Sequence, residues 1–184
     1  MIRPDIIANR KAKKYSPRVL MARALWGGLR LPLFAWTPRP LWGWRRTVLR
    51  AFGARVGRDV HVYPSARIFA PWDLELGDAC AIGDRAVIYN LGRISIGAAA
   101  TISQQAHLCA GTHDFRDPAM PLLKPPIDIG AGAWICADAF IGPGVKVGGM
   151  AIIGARAVVV RDVGADTIVV GNPARVVGRR EVRS

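Results

Sequence analysis

Few residues in this sequence can do chemistry. Of its 184 residues, three are histidine (His61, His107, His113) and three are cysteine (Cys80, Cys109, Cys136). His61 and His107 sit inside a six-residue stride, each five positions after an aliphatic residue, which gives both a surface or corner place. His113 alone opens an irregular stretch, in LCAGTHDF at 108–115, and Asp114 follows it. A neutral imidazole can take the proton of a hydroxyl as that oxygen attacks an electrophile, contributing about 10²–10⁴ in rate. Loops on rigid scaffolds are common places for such a group. Asp114 either orients the imidazole or only starts the turn that Pro118 continues. The cysteines are odd in number and scattered, which points to a reduced, cytoplasmic setting and small apolar packing roles. Zinc chemistry needs imidazoles converging on one ion; His107 and His113 are one hexad apart with no evident third partner, so no metal is expected.

What must position His113 is a repeat. Aliphatic residues recur every sixth place at Val56, Val62 and Ile68, at Leu76, Ile82 and Ile88, at Ile96, Ile102 and Leu108, and again at Ile129, Ile135, Ile141, Val147, Ile153 and Val159. Glycine often follows the aliphatic residue, and a small or β-branched residue stands four places after it. Six is no simple multiple of 3.6, and Gly and Pro are too frequent for helix. The stride predicts an all-β prism in which each hexad gives a strand and a corner, with the aliphatic residue on the axis and glycine allowing turn conformations closed to bulkier residues. Val56 to Leu76 spans three hexads and a two-residue bulge, so about five coils are expected, interrupted by an excursion loop at 109–126. Two units follow: a basic, Trp-rich, mostly helical extension at 1–55, and the coiled domain with its C-terminal tail at 56–184.

The net charge of +13 is not spread evenly. Residues 1–58 hold 14 of the 26 Lys and Arg and one acid, Asp5, together with Trp26, Trp36, Trp42 and Trp44. Two readings fit. One is peripheral contact with an anionic membrane, where indoles settle at the headgroups and arginine meets phosphate. The other is a helix packed on the main domain with a solvated basic face. No RNA-binding motif accompanies the charge, so no nucleic-acid partner is expected. Arg23, Gly27, Gly28, Arg30 and Pro32 interrupt the apolar run at 19–36, which falls short of a span of about 20 apolar residues. No secretory signal is read at the N-terminus. A cytoplasmic protein, at most peripheral at the inner face of the membrane, is the expectation.

The dense [LIV]-G-x4 stride resembles that of the hexapeptide-repeat acyltransferases, whose fold is a left-handed parallel β-helix. The resemblance covers roughly 56–179. The same scaffold also serves γ-type carbonic anhydrases and non-enzymatic proteins, so fold alone does not fix chemistry. SQQAHLCAGTHDF is similar to the segment that carries the catalytic base in colanic acid biosynthesis acetyltransferases and in galactoside, maltose and nodulation O-acetyltransferases. That likeness implies that His113 deprotonates an acceptor hydroxyl for direct attack on acetyl-CoA. It also implies that Asn90, in VIYNLG, holds the acceptor or the oxyanion, although asparagine at a corner is equally a turn residue. Trp134 matches a tryptophan beside the acetyl end of the pantetheine arm, and Ala137 and Ala155 match positions whose backbone contacts that arm. Arg161, and Arg175 and Arg179 in GNPARVVGR, match cations near the nucleotide phosphates. PWDLELGD at 71–78 and LFAWTPRPLWGWRRTVLRAFGARVG upstream extend the likeness to the colanic acid subgroup. It implies acetylation of a sugar hydroxyl, on a sugar or lipid-linked glycan, in exopolysaccharide or other surface-glycan synthesis, by a homotrimer with its site between subunits. An amino-sugar N-acyltransferase, a γ-type carbonic anhydrase-like protein and a non-catalytic β-helix are the alternatives.

Overall fold

The computed structural model describes residues 5–181. Arg55–Val56, His61–Val62 and Arg67–Ile68 form a first coil, and Leu74–Leu76, Ala81–Ile82 and Val87–Tyr89 a second. Ile94–Ile96, Thr101–Ile102 and His107–Cys109 form the third, Ile127–Ile129, Trp134–Ile135 and Phe140–Ile141 the fourth, and Lys146–Val147, Ile152–Ile153 and Val158–Val159 the fifth. Thr167–Val170 begins a sixth. Equivalent strands stack in parallel, so that Val56 lies over Leu76 and His107 over Phe140, giving three sheets here called the first, second and third faces in chain order. The fold is the expected left-handed parallel β-helix.

The stride builds this shape because the aliphatic residues share one interior. Of the fifteen, all but Val56 are 4% exposed or less, and burying each such side chain contributes about 1.5–3 kcal/mol. Ala66, Ala86, Ala100, Ala106, Ala139 and Ala157 fill the space beside them with no exposure.

The glycines act differently from the expectation. The left-handed backbone at the corners falls on the third residue after the aliphatic one, as at Asp59, Ala79, Arg85, Ala99 and Gln105, where φ lies between 51° and 60°. The glycine directly after the aliphatic residue instead clears room for the next coil: a Cβ on Gly97 would lie 2.5 Å from the Ala131 nitrogen. Gly97→Ala is therefore expected to destabilise the fold by about 1–3 kcal/mol through backbone displacement, read by chemical denaturation.

Three helices precede the coils. Ile6–Lys11 (α1) is capped by Asp5, whose Oδ1 accepts from the Ala8 amide at 2.9 Å. Pro17–Arg30 (α2) starts with proline behind the cap Ser16 and runs into a π-turn at Leu31–Ala35. Trp42–Ala51 (α3) covers the open end of the first coil. There the strand carbonyls have no preceding coil to pair with, and arginines take that place. Arg45 Nε donates to Val62 O at 2.6 Å, Arg46 Nη1 to Val60 O at 3.2 Å, and Arg50 Nη2 to Val56 O at 2.7 Å and Gly57 O at 2.8 Å. Of the tryptophans, Trp26 is 3% exposed and donates to Ile68 O, and Trp42 stacks on His61, whereas Trp36 and Trp44 are open. At the other end the expected tail is a strand: Arg175–Arg179 returns antiparallel along Thr167–Val170 after a turn at Gly171, where φ is +94°.

Candidate active site

The excursion that carries His113 is not irregular. Thr112–His113 pairs antiparallel with Leu122–Leu123, with His113 opposite Leu122, and the Asp114 amide donates to Pro121 O at 3.0 Å. This hairpin leaves the third face where the third coil ends. His113 is exposed, and its Nδ1 lies 2.6 Å from the Met120 carbonyl oxygen. A carbonyl only accepts, so Nδ1 carries a proton, and the lone pair of the neutral imidazole is the one on Nε2.

The same carbonyl has a second donor. Asn9 Nδ2, from α1, donates to Met120 O at 2.6 Å and to Ala119 O at 2.7 Å. The Asp5 amide donates to Pro118 O, and Lys124 Nζ to Lys14 O. The first helix thus straps the hairpin from outside. Nothing in the sequence announced Asn9: it lies 110 residues from its partner in a short basic helix.

Asp114 does not touch the imidazole. Its Oδ1 accepts from the Arg116 amide at 3.0 Å, an Asx-type turn, so of its two readings the structure favours the turn. Asn90 stands at its corner. It is fully buried, its Oδ1 accepts from the Ala70 amide at 3.0 Å, and its Nδ2 donates to Ala70 O. Both ends of the amide clip one coil to the one before it, and the second Nδ2 hydrogen has no partner among these bonds. Asn90 borders a small cavity with Tyr15, Arg23, Asp73 and Lys124. Burial pushes the Asp73 carboxyl up there, against the opposing pull of Lys124.

His107 lies on the third face against the edge of Phe140. Its buried Nε2 has no partner, and burial pushes its pKa down.

Trp134 projects from the second face, 45% exposed, and its indole donates to Ser103 Oγ at 2.8 Å. Ala137 and Ala155 occupy the same corner in consecutive coils, so a low, small-residue strip follows Trp134. The Ala137 carbonyl is taken by the Arg156 amide. Arg161 and Arg175 are brought together, lining one cavity of about 480 Å³ at the C-terminal end with Asp162, Thr167 and Pro173. Arg179 stands apart, 4.0 Å from Asp166. Its neighbour Arg180, which the sequence did not single out, reaches Gly132 O at 2.9 Å. Among the described residues no three His, Cys, Asp or Glu side chains converge, and no helix is long and apolar enough to cross a membrane.

No protein-family model matches the chain. The Escherichia coli K12 protein assigned as colanic acid biosynthesis acetyltransferase WcaF is 41% identical over 156 residues, covering 85% of this chain and 86% of that protein. A maltose O-acetyltransferase from Clostridium difficile 630 superposes with a TM-score of 0.82 at 24% identity, over 91% of this chain and 90% of its own. A hexapeptide-repeat acetyltransferase of Vibrio cholerae complexed with acetyl coenzyme A gives 0.82 at 24%, over 92% and 93%. Identity of that extent with WcaF, together with the shared fold of these solved structures, makes the chain a member of the hexapeptide-repeat acetyltransferases, in the branch that contains WcaF.

Proposed function

We propose that the protein transfers the acetyl group of acetyl-CoA to a sugar hydroxyl of a surface glycan such as an exopolysaccharide, with His113 as general base. One observation carries the assignment of the base: the Met120 carbonyl holds Nδ1 at 2.6 Å, so the exposed Nε2 is the proton acceptor. Nε2 takes the hydroxyl proton as the oxygen attacks the thioester carbonyl. The tetrahedral intermediate collapses with loss of the CoA thiolate, and the imidazolium returns the proton to sulfur. Trp134 and the strip along Ala137 and Ala155 suit the pantetheine arm, and Arg161 and Arg175 suit the phosphates. Acetyl-CoA in a relative of the same fold supports the donor, and maltose in the name of another supports a sugar acceptor.

The site is completed between three copies. The outward residues of the first face include Arg55, Glu75, Asp128 and Lys146, while those of the third include Val87, Tyr89, Phe140 and Val158. This contrast favours association along the third face, from which the hairpin projects. A monodisperse, active monomer in light scattering would contradict the trimer.

The test is thiol release from acetyl-CoA against a panel of sugar acceptors, with the product mass raised by one acetyl group. No release with any free, nucleotide-linked or lipid-linked sugar would sink the reading. Asn9→Ala is expected to lower kcat about tenfold, by loosening the carbonyl that orients His113, while KM for acetyl-CoA holds. Equal changes in both constants would show that α1 acts on binding instead.

A further inference from the structure

The outward side of α2 is apolar from end to end. Leu20 is 51% exposed, Met21 70%, Leu25 56% and, just beyond the helix, Leu31 48%. Ala24, Gly27 and Gly28 are exposed between them. At about 3.6 residues per turn these positions share one side. Trp26, buried on the opposite side, holds the helix to the third face through Ile68 O. The side that Trp26 anchors also carries Arg23 and Arg30, whereas the outward side carries only apolar residues and glycine and is not covered by the β-helix.

The charge nearby indicates what covers the outward side. Arg10, Lys11, Lys13 and Arg18 are exposed on the approach to the helix, and residues 1–58 carry 14 cations against one acid. A second copy seated on this face would bring the same positive surface to meet it. A bilayer with anionic lipid matches both features.

We propose that the outward face of α2 docks on an anionic membrane surface, with the helix lying in the plane of the interface. Leu20, Met21, Leu25 and Leu31 enter the acyl boundary, and the flanking lysines and arginines meet the headgroup phosphates. At 14 residues the helix is about 21 Å long, too short to cross. Docking goes beyond the enzymatic reading, and its measurement reads no acetyl transfer.

The experiment is flotation of the full chain with vesicles of phosphatidylcholine alone or mixed with phosphatidylglycerol. Wild type is expected to float with the anionic vesicles and to bind neutral ones at least tenfold less, with binding lost at high salt. The triple variant Leu20→Ser, Met21→Ser, Leu25→Ser is expected to stay in solution while keeping its circular dichroism spectrum. Should that variant fold poorly, Lys13→Glu with Arg18→Glu tests the charge alone and is expected to weaken anionic binding at least tenfold. Equal flotation of the variants overturns the proposal, as does absence of wild-type binding. A triple variant that changes only the size of the assembly in sedimentation also overturns it, and assigns the face to a second copy.

Discussion

Replacing His113 with alanine is expected to lower acetyl transfer by about 10²–10⁴-fold while the protein stays folded. The size follows from losing the proposed base, whose other ring nitrogen, Nδ1, is held by the Met120 carbonyl. The intact fold follows from exposure: the side chain makes one hydrogen bond, on a hairpin outside the coils. The loss belongs in kcat, because the donor contacts proposed for Trp134 and the arginines are untouched. A variant that turns over at the wild-type rate would remove His113 from the mechanism and leave the fold assignment standing.

The largest effect on stability is expected at Arg45. It is the one fully buried cation among the described residues, and its guanidinium serves four acceptors. Nε donates to Val62 O at 2.6 Å, Nη1 to Thr37 Oγ1 and Pro38 O at 2.9 Å each, and Nη2 to Arg39 O. The Trp42 ring lies 4.6 Å beneath it. Arg45→Ala leaves those acceptors dry and without donors, at a cost of about 2–4 kcal/mol, read as a lower midpoint in urea. Arg45→Lys is expected to recover only part, since an ammonium lacks the planar fork. A loss below about 1 kcal/mol would mean that water replaces the guanidinium without penalty.

The coils were legible because one physical rule, an aliphatic residue on the axis every sixth place, acts at each repeat and leaves fourteen of the fifteen expected side chains buried. Val56 is the exception for a local reason, standing at the open end beneath α3. The N-terminal charge was harder to read, because arginine looks the same in a sequence whether it meets lipid, water or a carbonyl. Arg45, Arg46 and Arg50 serve the carbonyls of the first coil, a use that neither sequence reading named, whereas Arg10, Lys13 and Arg18 remain exposed. At the site, His113 stood out by breaking the stride, and Trp134 and Arg161 by resemblance. Asn90 was placed at its corner but not in its burial, since a hydrogen bond to a residue 20 positions back depends on how coils stack. Asn9 left no signal at all, because only the folded chain brings α1 to the hairpin.

The returning strand Arg175–Arg179 has a consequence for assembly. A stack of parallel strands that simply stopped at Val170 would offer its last rung to the same rung of another molecule, while the first coil stays capped by α3. The reversed strand takes the ladder positions of the second face, and the preceding turn takes those of the third, where the Val158 amide donates to Gly171 O and the Ala174 amide to Val158 O. Removing the last dozen residues should therefore let two particles join through their bared ends, doubling the mass without open-ended growth.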